Sequence, residues 1–261
     1  MTVGVPFLMR TTDMTHKVFV LLSGGADSST TLAYARQEFP KAEIETVTMD
    51  YGQRHRKEIE AAKTISAYFG AKHVTVPLQG LMQGMLVDKG EDNEAIPHKS
   101  YAELPQGISP TYVTFRNGLM LSVLAARAQG WVMAEQKRLE AELQDGLGTL
   151  DPSEVQATIY CGVHADDGAN WAYPDCTPEF IGGMANAIYI GTYNKVRLRT
   201  PLLHYSKADV IREGTRLGVP FELTWSCYKG EDLHCGQCPT CLSRKEAFEL
   251  NGLLDPTTYA A

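Results

Sequence analysis

Ser23 to Ser29, SGGADSS, join an apolar run, Lys17 to Leu22 (KVFVLL), to a stretch of helical character from Ser28 to Gln37. A glycine turn between a buried strand and a helix aims backbone N–H groups and the helix N-terminus at one point, which is a seat for an anion. Gly24 and Gly25 carry no side chain, so phosphate can approach the backbone closely. The same residues would also serve as a Gly-Gly turn with an Asp-Ser helix cap; the strand before and the helix after favour phosphate. The other phosphate-binding pattern, GxxxxGK followed by Ser or Thr, does not occur, which disfavours γ-phosphoryl transfer by that machinery.

Cys227, Cys235, Cys238 and Cys241 form a second constellation, C-x7-C-x2-C-x2-C. In a long chain without a secretory leader such clustering points to metal rather than disulfides. Four thiolates complete the closed tetrahedral shell of a structural Zn²⁺ and leave no position open for catalysis by the metal. A thioredoxin-like redox pair and an iron–sulfur cluster are the rival readings. Cys161 reads as a small core hydrophobe in a buried strand, and Cys176, in YPDC, as a candidate nucleophile. Asp50 to His55, DYGQRH, offers Asp, Gln, Arg and His either for a ligand or for capping the next helix.

Elements must bring these residues together. The chain has 261 residues, 44% hydrophobic and 21% charged, enough for one large core or two small ones and unlike a disordered or fibrous chain. Twenty-four Lys and Arg against 31 Asp and Glu give a net charge of −7, which argues against coating nucleic-acid phosphate as the main work. No apolar run approaches the roughly 18 residues of a membrane span, and the start is too weakly apolar for a secretory signal. The protein is therefore expected in the cytoplasm, with residues 1–16 as an N-terminal extension.

Patterning predicts strands at Lys17–Leu22, Ile44–Met49, His73–Val76, Ile159–Val163 and Val196–Thr200, and helices at Ser28–Gln37, Arg54–Phe69, Thr114–Ala128 and Pro178–Ile190. Such alternation implies an α/β fold with a doubly wound, mainly parallel Rossmann-like sheet, whose ligands gather at the carboxyl ends of the strands. The loops after Leu22, Met49, Val163 and Thr200 should therefore share one crevice. Gly80 to Pro110 reads as a lid or long surface loop, and about 131–157 as a peripheral helical insertion, a hairpin broken at GLG and DP. The expected division is 17–220 for the main domain and 221–261 for a small C-terminal metal-binding segment.

SGGxDS is the pattern of the N-type ATP pyrophosphatases, the PP-loop enzymes, which this chain resembles at Ser23 to Ser28. With DYGQRHRKEIEAA, TFRNGLMLS, GVHADD and YPDC, TPLL with SKAD, and TWSCY with CGQCPTC, the chain further resembles the 7-cyano-7-deazaguanine synthases, the QueC type, from about Lys17 to Arg244. The resemblance implies an adenine nucleotide alpha hydrolase-like fold, cleavage of ATP between its α- and β-phosphates, and conversion of 7-carboxy-7-deazaguanine and ammonia to the nitrile by way of the amide. It also implies a homodimer, Mg²⁺ with the ATP, and zinc on the four cysteines named above.

By motif position, the ATP loop would comprise Leu22, Ser23, Gly24, Gly25, Ala26, Asp27, Ser28, Ser29, Thr30, Thr31 and Leu32. Asp27, which orients Mg²⁺ or the loop, Arg116, and Lys207, which reaches the leaving pyrophosphate, are the catalytic candidates. Gln53, Arg54, Asn117, Asp167, Trp171, Tyr173 and Asp175 are the candidates for the substrate: the two acids for the N–H donors of the deazaguanine edge, and Trp171 or Tyr173 for stacking on its ring. The chain departs from the family pattern at Ala26, at Thr177 where an Arg often follows YPDC, and in a spacing about two residues longer before YPDC. Three alternatives stand beside this reading: a related ligase that stops at the amide or joins the acid to another amine such as a protein N-terminus in a phage-related setting; a zinc-ribbon nucleic-acid-binding module; and a tRNA sulfur-transfer enzyme.

Overall fold

Alternation in the first strand divides the core in two. The computed structural model describes residues 15–53, 56–82, 84, 86–87, 96–103 and 107–260. Its strands are β1 (His16–Leu21), β2 (Glu43–Asp50), β3 (Lys72–Pro77), β4 (Gln156–Tyr160) and β5 (Val196–Arg199). Its helices are α1 (Ala26–Glu38), α2 (Lys57–Tyr68), α3 (Arg116–Gln144), α4 (Ala165–Gly168), α5 (Pro178–Gly191), α6 (Lys207–Arg216) and α7 (Pro239–Leu250). Val18 and Val20 point to the face where Leu32 of α1 and Ile65 of α2 pack, whereas Phe19 points to the face covered by Leu121 and Leu124 of α3 and Ile181 of α5.

All five strands are parallel, in the order β3-β2-β1-β4-β5. The chain winds outward from β1 to β3, then returns to place β4 on the other side of β1, with His16 beside Gln156 and Val20 beside Tyr160. The connections leaving the carboxyl ends of β1 and β4 therefore diverge and open a crevice between them. This is the doubly wound sheet that the patterning predicts. No helix among the described residues is long and apolar enough to cross a membrane.

Element boundaries differ from the sequence reading by a few residues in several places, and two of the differences bear on how the elements pack. The expected helix ending at Ala128 and the hairpin after it are one 29-residue helix, α3, because Ala128, Val132 and Leu139 keep a buried stripe running past the exposed Gly130. Arg138, paired with Glu135 and Glu142, supports the solvent face, and the helix ends only where the Leu147 and Gly148 amides bond to Glu142 O. A short turn of helix at Pro152–Glu154, not a second helix, then leads into β4. The expected strand at Ile159–Val163 begins and ends about three residues earlier. A Cβ on Gly162 would stand 2.8 Å from Thr31 Oγ1 and 3.0 Å from Asp27 O, so the chain there has left the sheet to lie against α1. Cys161 thus sits just past β4, although its N–H still bonds to Arg199 O. Residues 1–14 of the expected N-terminal extension, and much of the expected lid, lie outside the described residues.

Arg244, fully buried on α7, ties the C-terminal segment together. It donates to Asp255, Thr224 Oγ1 and Phe221 O and stacks near Phe221 and Phe248. At the amino end of the sheet, Glu45 is 2% exposed and accepts from Arg127 Nε at 2.5 Å, with Lys17 Nζ at 3.2 Å. Burial pushes its carboxyl up, but Arg127 and Lys17 outweigh burial and hold it below the usual glutamate range. A carboxyl depressed in the folded state adds stability that is complete above its unfolded pKa, about 4.3, and is lost as pH falls through the folded value. Glu45→Gln should cost about 3 kcal/mol at pH 7, because it leaves Lys17 buried with weakened pairing, and the gap from the native protein should shrink as urea unfolding is repeated toward pH 3. A gap independent of pH would show that the ion cluster does not carry this stability.

Candidate functional site

The turn after β1 is held from three sides. Leu22 N–H bonds to Val47 O at 3.0 Å, and Thr48 Oγ1 donates to Leu22 O at 2.5 Å. Gly24 adopts φ +86°, and a Cβ there would lie 2.3 Å from Glu58 O and 2.7 Å from Ala62 N, so the turn rests directly on the backbone of α2. From the other side Trp225 N–H donates to Gly24 O at 2.9 Å. Within the turn, Ser28 Oγ receives the Ser23 N–H at 3.1 Å and meets Ser23 Oγ at 3.0 Å, while Ser29 Oγ donates to Gly25 O at 2.7 Å. The serines of the motif thus lock the turn, and the first-turn amides of α1, which have no acceptor within the helix, face a cavity of about 700 Å³.

The cavity lies at the switch between β1 and β4 and is lined from every predicted loop: Ser23 and Gly25 to Ser28; Met49 and Tyr51; Cys161 to His164 with Asp166 and Asp167; and Lys207. Arg116 and Asn117, at the start of α3, and Trp225, Ser226, Tyr228, Thr240, Ser243 and Glu246, from the C-terminal segment, complete much of the wall. From the long stretch before α3, Ser100, Tyr101, Gly107 and Ser109 also reach it.

At the turn, Lys207 Nζ lies 2.6 and 2.7 Å from the two Asp27 oxygens. Buried His164 stands between two acids, its Nε2 3.8 Å from Asp27 Oδ2 and 3.4 Å from Asp167 Oδ1. Burial pushes Asp27 up, but the charges of Lys207 and His164 outweigh it and keep that carboxyl below its usual range. For Asp167 burial prevails, with the charge of Asp27 adding to it, and the carboxyl is raised despite His164. Asp166 accepts from Lys207 N–H at 2.7 Å and so ties α4 to the start of α6.

The opposite end is aromatic. Tyr51 is hydrogen-bonded to Arg116, and burial lifts its phenol to about 12. The Tyr101 and Tyr228 hydroxyls are 3.1 Å apart, and Tyr173 Oη lies 2.5 Å from Thr111 Oγ1 and 3.2 Å from Ser109 Oγ. Burial raises Tyr101 and Tyr228 as well, so these groups remain neutral hydroxyls that can donate or accept hydrogen bonds. Burial also raises Cys161 to about 12 and Cys176 still further. A buried neutral thiol is a poor nucleophile, which runs against the nucleophile reading of Cys176; its sulfur instead accepts from Asn117 Nδ2 at 3.1 Å.

Local geometry aims Arg116. Phe115, just before it, takes φ +49°, and Gly118 makes room for the Phe115 ring, which would lie 2.3 Å from a Cβ at that position. Asp175, 4% exposed, accepts from Asn117 N–H at 2.9 Å and caps α3 rather than lining the cavity. Gln53 is likewise a brace behind the wall: it accepts from Tyr51 N–H and donates to Met49 O and Glu58 Oε1. Trp171 is 67% exposed at φ +59° and lies off the wall, while Arg54 is outside the described residues. Of the substrate candidates, the structure brings Asn117, Asp167 and Tyr173 to the cavity. Gly24 faces α2, and Ser29, Thr30, Thr31 and Leu32 are buried within α1. His164, Tyr51, Tyr101 and Tyr228 received no role from sequence; the first two and the last stand inside GVHADD, DYGQRH and TWSCY, but only the sheet order shows that these strings meet.

The four clustered cysteines are buried, and their sulfurs all lie within 4.8 Å of one another. Cys227 Sγ accepts from Cys235 N–H at 3.3 Å, and Cys235 Sγ from Cys238 N–H at 3.3 Å, bonds that favour thiolates. A tetrahedron with metal–sulfur bonds of about 2.3 Å needs sulfurs about 3.8 Å apart, so the set can hold a metal ion with little adjustment.

The family described as queuosine biosynthesis protein QueC matches residues 17–136 and 151–252; the intervening residues are the end of α3 and the turn that follows. The chain is 37% identical over 253 residues to the 7-cyano-7-deazaguanine synthase of Thermoplasma volcanium, covering 95% of this chain and 92% of that one. The enzyme of the same name from Nitratiruptor sp. is 38% identical over 249 residues, 93% and 98% of the two chains, and that from Chelativorans sp. 34% identical over 245 residues, 93% of each.

The close approach at Gly24 makes a direct prediction. Gly24→Ala must hold alanine at a left-handed φ and force a methyl group onto the Glu58 carbonyl, neither of which the neighbouring backbone can relieve cheaply. The variant should lose about 1–3 kcal/mol of stability in urea unfolding, and an unchanged midpoint would mean that the turn does not rest on α2.

Proposed function

The chain belongs to the QueC family, and from that premise we propose that it makes 7-cyano-7-deazaguanine from 7-carboxy-7-deazaguanine and ammonia, splitting two ATP to AMP and pyrophosphate. The observation that carries this reading is a single cavity with an anion-seating turn at one end and an arginine among tyrosines at the other. Each ATP removes one oxygen from the substrate. A carboxylate oxygen attacks the α-phosphorus and pyrophosphate leaves; ammonia then displaces AMP and gives up a proton, forming the amide. The amide oxygen is adenylated in turn as pyrophosphate and one N–H proton leave, and loss of AMP and the second proton leaves the C≡N bond.

The α1 amides and Lys207 neutralise the phosphates, with Lys207 exchanging Asp27 for the departing pyrophosphate as negative charge develops there. Arg116 meets the negative charge shared by carboxylate and α-phosphate. Asp167 accepts N–H donors of the deazaguanine edge, and Tyr173 packs on its ring beside Tyr101. The aromatic wall keeps water from the acyl adenylate, which would otherwise hydrolyse. Mg²⁺ bound with the triphosphate would supply further charge neutralisation, and Asp27 is the carboxylate that would hold it. The cysteine site suits structural Zn²⁺, since four thiolates fill its shell and no ligand position remains open. A cytoplasmic homodimer completes the proposal, on the family resemblance.

Incubation with the acid, ATP, Mg²⁺ and ammonium should yield a product with the mass of the nitrile and two AMP per product. Amide with one AMP would overturn the nitrile reading. Lys207→Ala should lower kcat by about 10²–10³ with a smaller change in KM for the acid, as expected for a charge needed mainly when pyrophosphate leaves. Loss confined to KM would remove Lys207 from that role.

A further inference from the structure

The segment that holds the four cysteines also holds the ATP turn. Trp225, whose N–H donates to Gly24 O, stands two residues before Cys227, and its carbonyl is 3.5 Å from where a Cβ on Gly25 would lie. Thr240 stands between Cys238 and Cys241 and lines the cavity. Its hydroxyl donates to Ser226 O at 2.6 Å and lies 3.4 Å from Cys238 Sγ. Ser243 and Glu246 follow at three-residue spacing on the same face of α7 and also line the cavity. One stretch of backbone is thus both ligand shell and cavity wall.

We propose that metal binding at the four cysteines and ATP binding in the cavity strengthen each other, with Thr240 as the positioning residue that joins the two sites. This rests on the ATP reading of the cavity given above. A metal ion on Cys227, Cys238 and Cys241 fixes the start of α7 relative to Ser226, and with it the Trp225 N–H that holds Gly24 O. ATP seated on the turn restrains the same segment from the other side. Linkage then requires that each ligand raise the affinity of the other by one common factor. A metal that only folds its own loop would leave ATP affinity and metal affinity independent.

The test uses the full-length zinc-loaded protein in Mg²⁺ buffer, titrated with a chromophoric zinc chelator with and without saturating ATP. Free zinc is read from the chelator itself, so that zinc taken by the triphosphate is counted, and ATP binding is followed separately by equilibrium dialysis. ATP should raise zinc affinity by a factor within about 5 to 150, the usual range for coupled sites. Thr240→Val should still bind one zinc per chain but lose most of that factor. ATP that binds without changing zinc affinity overturns the coupling and leaves the cavity reading intact. Absence of ATP binding overturns that reading and the coupling with it, and a factor unchanged in Thr240→Val overturns the role of Thr240.

Discussion

The contact on which the site depends is one that any side chain at position 24 would abolish. Backbone meets backbone where Gly24 lies on Glu58 and Ala62, and this lets a turn leaving β1 pass between α2 and the C-terminal segment. The geometry that could seat an anion on the turn follows from that passage. The serines can satisfy the turn internally, and the α1 amides are left free to face outward, because the turn is already clamped above and below. Gly162 makes the equivalent approach from β4 to α1, so both strands that flank the crevice leave it through a position without a side chain.

Charge is distributed along the sheet in a way that separates stability from chemistry. At the amino end, Glu45 is buried with cations close enough to hold it below the usual glutamate range, and it lies off the wall of the cavity. At the carboxyl end, Asp27 and Asp167 share one imidazole yet are pushed in opposite directions, Asp27 by a direct lysine partner and Asp167 by burial without one. Two acids so placed are not equivalent: Asp27 is held by a direct lysine partner, while Asp167 meets its imidazole with no lysine in hydrogen-bond contact among the described residues.

How much of this was legible in sequence depended on the range of the interaction. The glycine turn at Ser23 to Ser29 and the cysteine cluster are local strings whose geometry is set by neighbours in the chain, and the alternation of strand and helix was enough for the sheet. The extent of α3 was not legible, because Gly130 and a run of charges hide the continuation of its buried stripe at Val132 and Leu139. Asp175 and Gln53 look like ligand residues by type, but each is consumed by backbone amides or carbonyls that the fold brings to it, Asp175 across 58 residues to Asn117. A polar residue in a motif is ambiguous until its nearest backbone partners are known. Thr177 shows the same point, since its hydroxyl caps α5 by accepting from Phe180 N–H.

The pairing of β1 with β4 has a consequence for how the protein is made. Ribosomes deliver chain from the N-terminus at about 5–20 residues per second, and about 135 residues separate the end of β1 from the start of β4, so roughly 7–27 seconds pass before the central strand can acquire its second neighbour. During that time the Val18-Phe19-Val20 edge is an open template for another nascent chain, since β2 and β3 can cover only one side of it. Slow translation of the α3 region would lengthen this exposure of the strand edge that later frames the crevice.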